Sequence, residues 1–354
     1  MKYRLLGHSG LRVSELALGT MTFGDDWGWG SPKDEARRIY DAYREAGGNF
    51  IDTANFYTGG SSERFVGEFV ASHRGEVVLA TKYGNAVPGR DANAGGSQRK
   101  NMVQAVEASL KRLGTDYIDL YWLHAWDQIT PAEEVMRGFD DLVRAGKVLY
   151  IGISDAPAWV VAKSNTLAEL RGWTRYVGLQ INYSLLERTV ERELIPVAKD
   201  QGMTVVAWSP LHNGLLTGKY LPENKSAASE ATRLDSAMMK AMAADDKSGL
   251  IEIGEAGLRT VREVVAVAKE IGVSAAQVAL AWLRHRSVPV IPIIGARKLT
   301  QLEDNLKSLE IAFSPEQLRR LDKVSSVPMG FPGDILNSAI SDSLFGGMRD
   351  QIIA

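Results

Sequence analysis

Four polar side chains set the chemistry to be explained: Asp52, Tyr57, Lys82 and His124. Asp52, Lys82 and His124 each fall at the end of an apolar run, in NFIDTA, VVLATK and YIDLYWLH, and Tyr57 follows Asp52 by five residues. Singly, each has an ordinary explanation, since an Asp after a strand often caps a helix and a lone His is often structural. Jointly, they suit carbonyl reduction, in which a hydride reaches carbon and the oxygen becomes an alkoxide that needs a proton. A tyrosine can supply that proton, but its ordinary pKa of about 10 calls for lowering near neutral pH. A Lys82 ammonium beside Tyr57 would favour the phenolate, and Asp52 would keep that lysine charged and in place. His124 would fix the substrate oxygen by a hydrogen bond.

Positioning these residues requires a repeated scaffold, and the chain carries one. An amphipathic helix that ends near Gly and leads within a few residues to an apolar strand recurs along its length. Val103, Val106, Leu110 and Leu113 precede Gly114 and a strand near Tyr117; Val135, Phe139 and Leu142 precede Gly146 and VLYIGIS; Val190, Leu194 and Val197 precede Gly202 and TVVAWSP. The strands are ELALGTMTF, NFIDTA, VVLATK, YIDLYWLH, VLYIGIS, YVGLQINY, TVVAWSP and VPVIPII. Several are apolar on both faces, as strands covered by helices and packed on a core must be. This pattern predicts a (β/α)8 TIM barrel over residues 16–309, within a single domain spanning 1–354. A doubly wound open sheet is the alternative, but no GxGxxG follows the first strand, and GDDWGWG has the wrong spacing for a phosphate turn. Residues 1–15, with the turn HSGL, read as an N-terminal β-hairpin plugging the barrel bottom. Long βα loops are expected at 83–98 and 211–257, and a C-terminal helix and tail at 314–354.

The chain has 354 residues, with 41 basic against 43 acidic side chains, and no cysteine. The near-neutral balance argues against nucleic-acid or anionic-membrane binding through a basic surface. The absence of cysteine excludes disulfides, thiolate metal sites and cysteine nucleophiles, and no HxH or HExxH pattern points to a metal. The longest stretch without charge, Gln201–Gly218, contains Ser209, Pro210, His212 and Asn213, so a transmembrane span is not expected. Arg4, Arg12 and Glu15 leave no apolar signal core before residue 16, and a cytoplasmic protein is expected. Lys111 and Arg112 read as a solvated helix end.

The order Asp, Tyr five residues on, then Lys and His at successive strand ends resembles the aldo-keto reductase superfamily. LGTMTFG, NFIDTANFYTGGSSE, GKVLYIGIS, LQINYSLLER, VAWSPLHNGLLTGKY and IPIIGARKLTQLEDNL extend the likeness over almost the whole chain. The likeness is taken to lie with a bacterial branch related to the potassium-channel β-subunit-like members. The resemblance implies a nicotinamide-dependent barrel enzyme that reduces an aldehyde or ketone, with Tyr57 as proton donor. It also implies a cofactor map. Gly19, Thr20, Met21 and Asp52 lie near the nicotinamide ribose, and Ser154, Asp155 and Gln180 face the carboxamide. Trp208 stacks on the ring; Ser209, Pro210, Leu211, His212, Asn213 and Lys219 follow the pyrophosphate; Gly295, Arg297, Gln301, Asp304 and Asn305 cover the adenosine.

Arg297, just before a helix start at Leu299, is suited to clamp a ribose 2′-phosphate, which favours NADPH over NADH. Asp155 departs from the commoner Asn, because a carboxylate accepts from the carboxamide NH2 but cannot donate to its oxygen. Trp27, Trp29, Phe56, Tyr83 and Trp126 each follow a strand and are expected to form an apolar pocket for a bulky or cyclic carbonyl. Competing readings are a cofactor-sensing regulatory subunit with little turnover, a Schiff-base lyase acting through Lys82, and a barrel glycosidase using Asp52 with Asp127.

Overall fold

Short apolar runs flanked by helices on one side must bury both faces, and a closed parallel barrel is the arrangement that does so without leaving an edge. In the computed structural model, which describes residues 1–85, 91–227 and 253–352, eight parallel strands form that barrel. They are β3 (Ala17–Gly19), β4 (Phe50–Asp52), β5 (Val78–Tyr83), β6 (Ile118–Leu123), β7 (Val148–Ser154), β8 (Tyr176–Asn182), β9 (Thr204–Trp208) and β10 (Val290–Gly295). They pair in chain order, and β10 closes the ring against both β9 and β3. Each predicted strand is present. The first is shorter than expected, because after Gly19 the chain turns inward: the Thr20 N–H donates to the Asp52 carbonyl and the Phe23 N–H to the Thr20 carbonyl.

Helices α1 (Lys33–Glu45), α2 (Ser61–Val70), α3 (Arg99–Leu113), α4 (Ala132–Arg144), α5 (Ala158–Arg171), α6 (Leu194–Asp200), α7 (Glu255–Ile271), α8 (Ala275–Arg284) and α9 (Leu299–Leu306) ring the barrel. Gly114 closes α3 with φ of 62°, a left-handed stop that a side chain would strain. The predicted hairpin is β1 (Tyr3–Leu5) paired with β2 (Arg12–Ser14); Leu6 and Val13 are fully buried against Ala17, Phe50 and Val78 at the barrel's lower end.

Inside the barrel, Trp122 of β6 fills a space that two glycines leave open. A Cβ at Gly152 would come within 2.3 Å of the Trp122 ring, and one at Gly178 within 2.8 Å. These glycines therefore follow from the size of the indole. Arg112 is not a solvated helix end: its guanidinium pairs at 2.6 Å with the fully buried Glu63, which also accepts from the Thr81 hydroxyl at 2.6 Å. A buried carboxylate requires such an answer.

Residues 86–90 of the expected 83–98 loop and 228–252 of the 211–257 loop lie outside the described residues, as do 353 and 354. The chain ends with α10 (Pro315–Val324), held at its start by a Ser314–Gln317 capping box, and the short α11 (Gly333–Leu336). The tail after α10 carries exposed apolar side chains such as Phe331, before α11, and Leu344, after it. Among the described residues, no single helix is long and apolar enough to cross a membrane.

Candidate active site

The carboxyl ends of the barrel strands surround a cleft of about 590 Å³, a size suited to a small-molecule site. Side chains alternate along a strand, so Phe50 and Asp52 of β4, Ala80 and Lys82 of β5, and Trp122 of β6 share the inward parity. The next inward position after Trp122 is His124, and in this way the closure of the barrel brings three distant residues to one point.

At that point Lys82 is fully buried. Its Nζ forms an ion pair with Asp52 Oδ1, donates to the Thr53 carbonyl at 2.8 Å, and donates to the Tyr57 hydroxyl at 3.2 Å. The other Asp52 oxygen accepts from the Gln180 amide at 2.9 Å. The Tyr57 and His124 rings meet edge to face with centroids 5.9 Å apart. Tyr57, His124 and Asp52 line the cleft, whereas Lys82 lies behind them.

Burial penalises the Lys82 ammonium, but Asp52 and Tyr57 outweigh that penalty and hold its pKa above the usual lysine value. Burial pushes the Tyr57 phenol up, and the Lys82 charge opposes that rise without cancelling it. The expectation that Lys82 brings Tyr57 below its ordinary value is therefore corrected: desolvation of the phenolate wins, and the hydroxyl keeps its proton at neutral pH. Burial, assisted by Lys82, holds His124 well below the usual histidine range. Its ring is neutral, and its Nδ1 is buried without a hydrogen-bond partner.

The rest of the expected cofactor surface divides in two. Gly19, Met21, Ser154, Asp155, Gln180, Trp208, Ser209, Pro210, Leu211, Asn213, Lys219, Gly295, Arg297, Gln301, Asp304 and Asn305 all line the same cleft. Thr20 and His212 do not. The Thr20 hydroxyl is fully buried, donating to the Asp52 carbonyl at 3.1 Å and accepting from Ser62 at 2.8 Å, so it braces the strand end. The His212 ring is buried against Ser184, in a turn where Ser209, His212 and Asn213 all have positive φ. Asp304 reaches the cleft with both carboxylate oxygens already engaged, by Ser274 at 2.7 Å and Gln277 at 2.6 Å.

Thr22, Thr217, Ala276, Leu280 and Thr300 also line the cleft and were missed. Ala276 and Leu280 are four residues apart on α8, so the apolar face of that helix was the available signal.

Of the expected aromatic pocket, Trp29 and Phe56 line the cleft, and Trp27 packs beside both, with centroids 6.1 and 5.9 Å away. Phe56 in turn touches Tyr57 and His124 at 5.2 and 5.4 Å. Trp126 stands apart from the cavity lining, edge to face with Trp159 at 5.3 Å. Tyr83 is not a pocket residue: it follows the inward Lys82 by one position and so faces outward, stacked on Tyr121 at 5.3 Å and fully buried beneath α4.

A dinucleotide fits these residues on two grounds. The cleft runs without interruption from Tyr57 to Asn305. Within it, the Ser154 hydroxyl is buried without a partner, a polar group prepared for a ligand amide.

Comparison with known proteins agrees with this geometry. The family model described as "Aldo/keto reductase family" matches residues 15–326. A norsolorinic acid reductase of Emericella nidulans is 42% identical over 334 residues, covering 92% of this chain and 81% of that protein. An aryl-alcohol dehydrogenase [NADP(+)] of Phanerodontia chrysosporium is 38% identical over 344 residues, covering 91% and 85%. An aryl-alcohol dehydrogenase of Pestalotiopsis microspora is 36% identical over 358 residues, covering 98% and 86%. These relatives are fungal reductases and dehydrogenases, and kinship with them replaces the expected kinship with bacterial, channel-β-subunit-like members.

Proposed function

The chain belongs to the aldo/keto reductase family of oxidoreductases, and from that premise we propose that it reduces an aromatic aldehyde or ketone to the alcohol with NADPH. The observation that carries the reading is the buried relay Asp52–Lys82–Tyr57, which ends at a protonated phenol facing the cleft beside His124.

Bound NADPH supplies the hydride that reduces the carbonyl carbon. Tyr57 holds the proton that the nascent alkoxide takes. Lys82, donating to the Tyr57 oxygen, stabilises the phenolate left behind, and the Asp52 ion pair keeps Lys82 from becoming a neutral amine. This last feature also weighs against a Schiff-base lyase, which needs that amine unprotonated. Neutral His124 orients the carbonyl oxygen toward Tyr57. Ser154, Gln180 and Asp155 would hold the cofactor's carboxamide, Ser154 as donor and the other two as acceptors; Trp208 would hold its ring and Arg297 a 2′-phosphate.

The aromatic wall of Phe56, Trp27 and Trp29 supports an aromatic substrate, because stacking on such rings is stabilising for planar groups. The names of the aryl-alcohol dehydrogenases and the norsolorinic acid reductase point the same way. The test is a screen of NADPH oxidation against aromatic aldehydes, cyclic ketones and sugars, with alcohol identified as product. Rapid reduction of aromatic carbonyls is expected. Absence of turnover with every carbonyl, while NADPH still binds, would favour the regulatory reading.

A further inference from the structure

Asp155 follows β7 in a left-handed conformation, with φ of 41°, a region that Asp and Asn enter more readily than other side-chain-bearing residues. Its side chain lines the cleft and is exposed to solvent there. The Trp208 indole N–H donates to Asp155 Oδ1 at 2.9 Å, and the Asp155 carbonyl accepts from the Trp126 N–H. Two carboxylates thus line this end of the cleft, and they differ in what answers them. Asp52 is in a buried ion pair with Lys82, while the hydrogen-bond donor to Asp155 is a neutral indole.

Resting on the cofactor reading above, we propose that Asp155 is a specificity-determining residue that makes this protein favour the oxidised cofactor, NADP+, over NADPH. The preference is Coulombic in origin. When a carbonyl is reduced, the dihydropyridine ring loses a hydrogen nucleus with two electrons to the carbonyl carbon and becomes a pyridinium cation. The Tyr57 proton passes to the oxygen, so atoms and charge balance as alcohol, phenolate and cation. A carboxylate facing that ring would lower the energy of the cation and leave the neutral ring nearly unaffected, whereas an asparagine amide would leave both nearly unaffected. Asp155 thereby favours carbonyl reduction over alcohol oxidation and retains the spent cofactor.

The other titratable groups here are Asp52, Tyr57 and His124, with the Lys82 ammonium behind them. Lys82 and Asp52 offset each other, and His124 and Tyr57 are neutral. Water reaches Asp155 in the open cleft, yet the protein around it pushes its pKa up to about 6, with the Trp208 hydrogen bond and Lys82 opposing that rise. The carboxylate is therefore charged at neutral pH and loses its charge under mild acid.

The test is equilibrium binding of NADP+ and of NADPH to the intact protein, followed by protein fluorescence from about pH 5.5 to 8, for the wild type and Asp155→Asn. Asparagine keeps the shape and an acceptor for Trp208 while removing the charge. The ratio Kd(NADP+)/Kd(NADPH) is expected to rise on the order of ten-fold in the variant at the upper pH, as expected for unit charges several ångströms apart in a partly hydrated cleft. In the wild type the ratio is expected to climb toward the variant's value as pH falls through about 6, whereas the variant's stays flat. Both cofactor forms carry the same phosphates, whose titration cancels in the ratio. A ratio unchanged by Asp155→Asn at the upper pH overturns the proposal. Failure of the wild type to bind either form overturns the cofactor reading itself. Asp155→Ser gives a second neutral variant with the same expected shift should the first misfold.

Discussion

Replacing Lys82 by methionine strands a charge. Asp52 is 2% exposed, and among the described residues its carboxylate without the ammonium keeps only the Gln180 amide as a side-chain donor. Removing one partner of a buried ion pair typically costs about 3–5 kcal/mol, most of it the penalty of the uncompensated charge, while replacing both partners by neutral groups of similar size is often close to neutral. Lys82→Met is therefore expected to lose about 3–5 kcal/mol of stability, and Asp52→Asn/Lys82→Met to lie within about 2 kcal/mol of the wild type. Urea denaturation at neutral pH, followed by far-ultraviolet circular dichroism, measures both. Turnover is expected to be lost in both variants, so stability and activity should separate in the double variant. A double variant as unstable as Lys82→Met alone would refute the premise that the relay is a charge pair buried for chemistry.

Three further outcomes follow from the geometry. Arg297→Ala is expected to weaken NADPH binding about ten-fold or more while leaving NADH within about two-fold, measured by titration; equal losses would remove the 2′-phosphate assignment. Because the Tyr57 pKa is raised above its unfolded value, the phenol stays protonated through neutral pH and is lost as donor only when pH rises through that raised value. The kcat/KM for carbonyl reduction should accordingly show no alkaline fall below about pH 9, and a fall centred near neutrality would contradict the assignment. Gly152→Ala, which drives a methyl to 2.3 Å from the Trp122 ring, is expected to cost about 1–3 kcal/mol in denaturant melts, with relief when Trp122 is shortened to Leu.

Much of this was legible before the fold was known. The eight strands announced themselves because helix-ending glycines and apolar runs repeat at a steady interval, and the four polar strand-end residues stood out because a barrel gathers such positions. Other features depend on which way a side chain turns. Tyr83 looked like a pocket residue until its parity against Lys82 placed it outside the barrel. Thr20 and His212 fell in segments that face the cleft, yet their side chains brace neighbouring turns. The Tyr57 phenol was expected to be acidified, and the error was one of magnitude: a nearby ammonium is visible in sequence, whereas the desolvation that outweighs it is not. The hydrogen bonds from Gln180 to Asp52 and from Trp208 to Asp155 join residues 128 and 53 positions apart, which no local pattern signals.

The central claim is that the Tyr57 hydroxyl supplies the proton. Its most direct measurement is a single-turnover reaction of NADPH-loaded Tyr57→Phe with an aromatic aldehyde, beside a titration of NADPH binding to the same variant. Unchanged binding with reduction slowed by about 10²-fold or more is the result this account predicts. Reduction within a few-fold of the wild-type rate would contradict it.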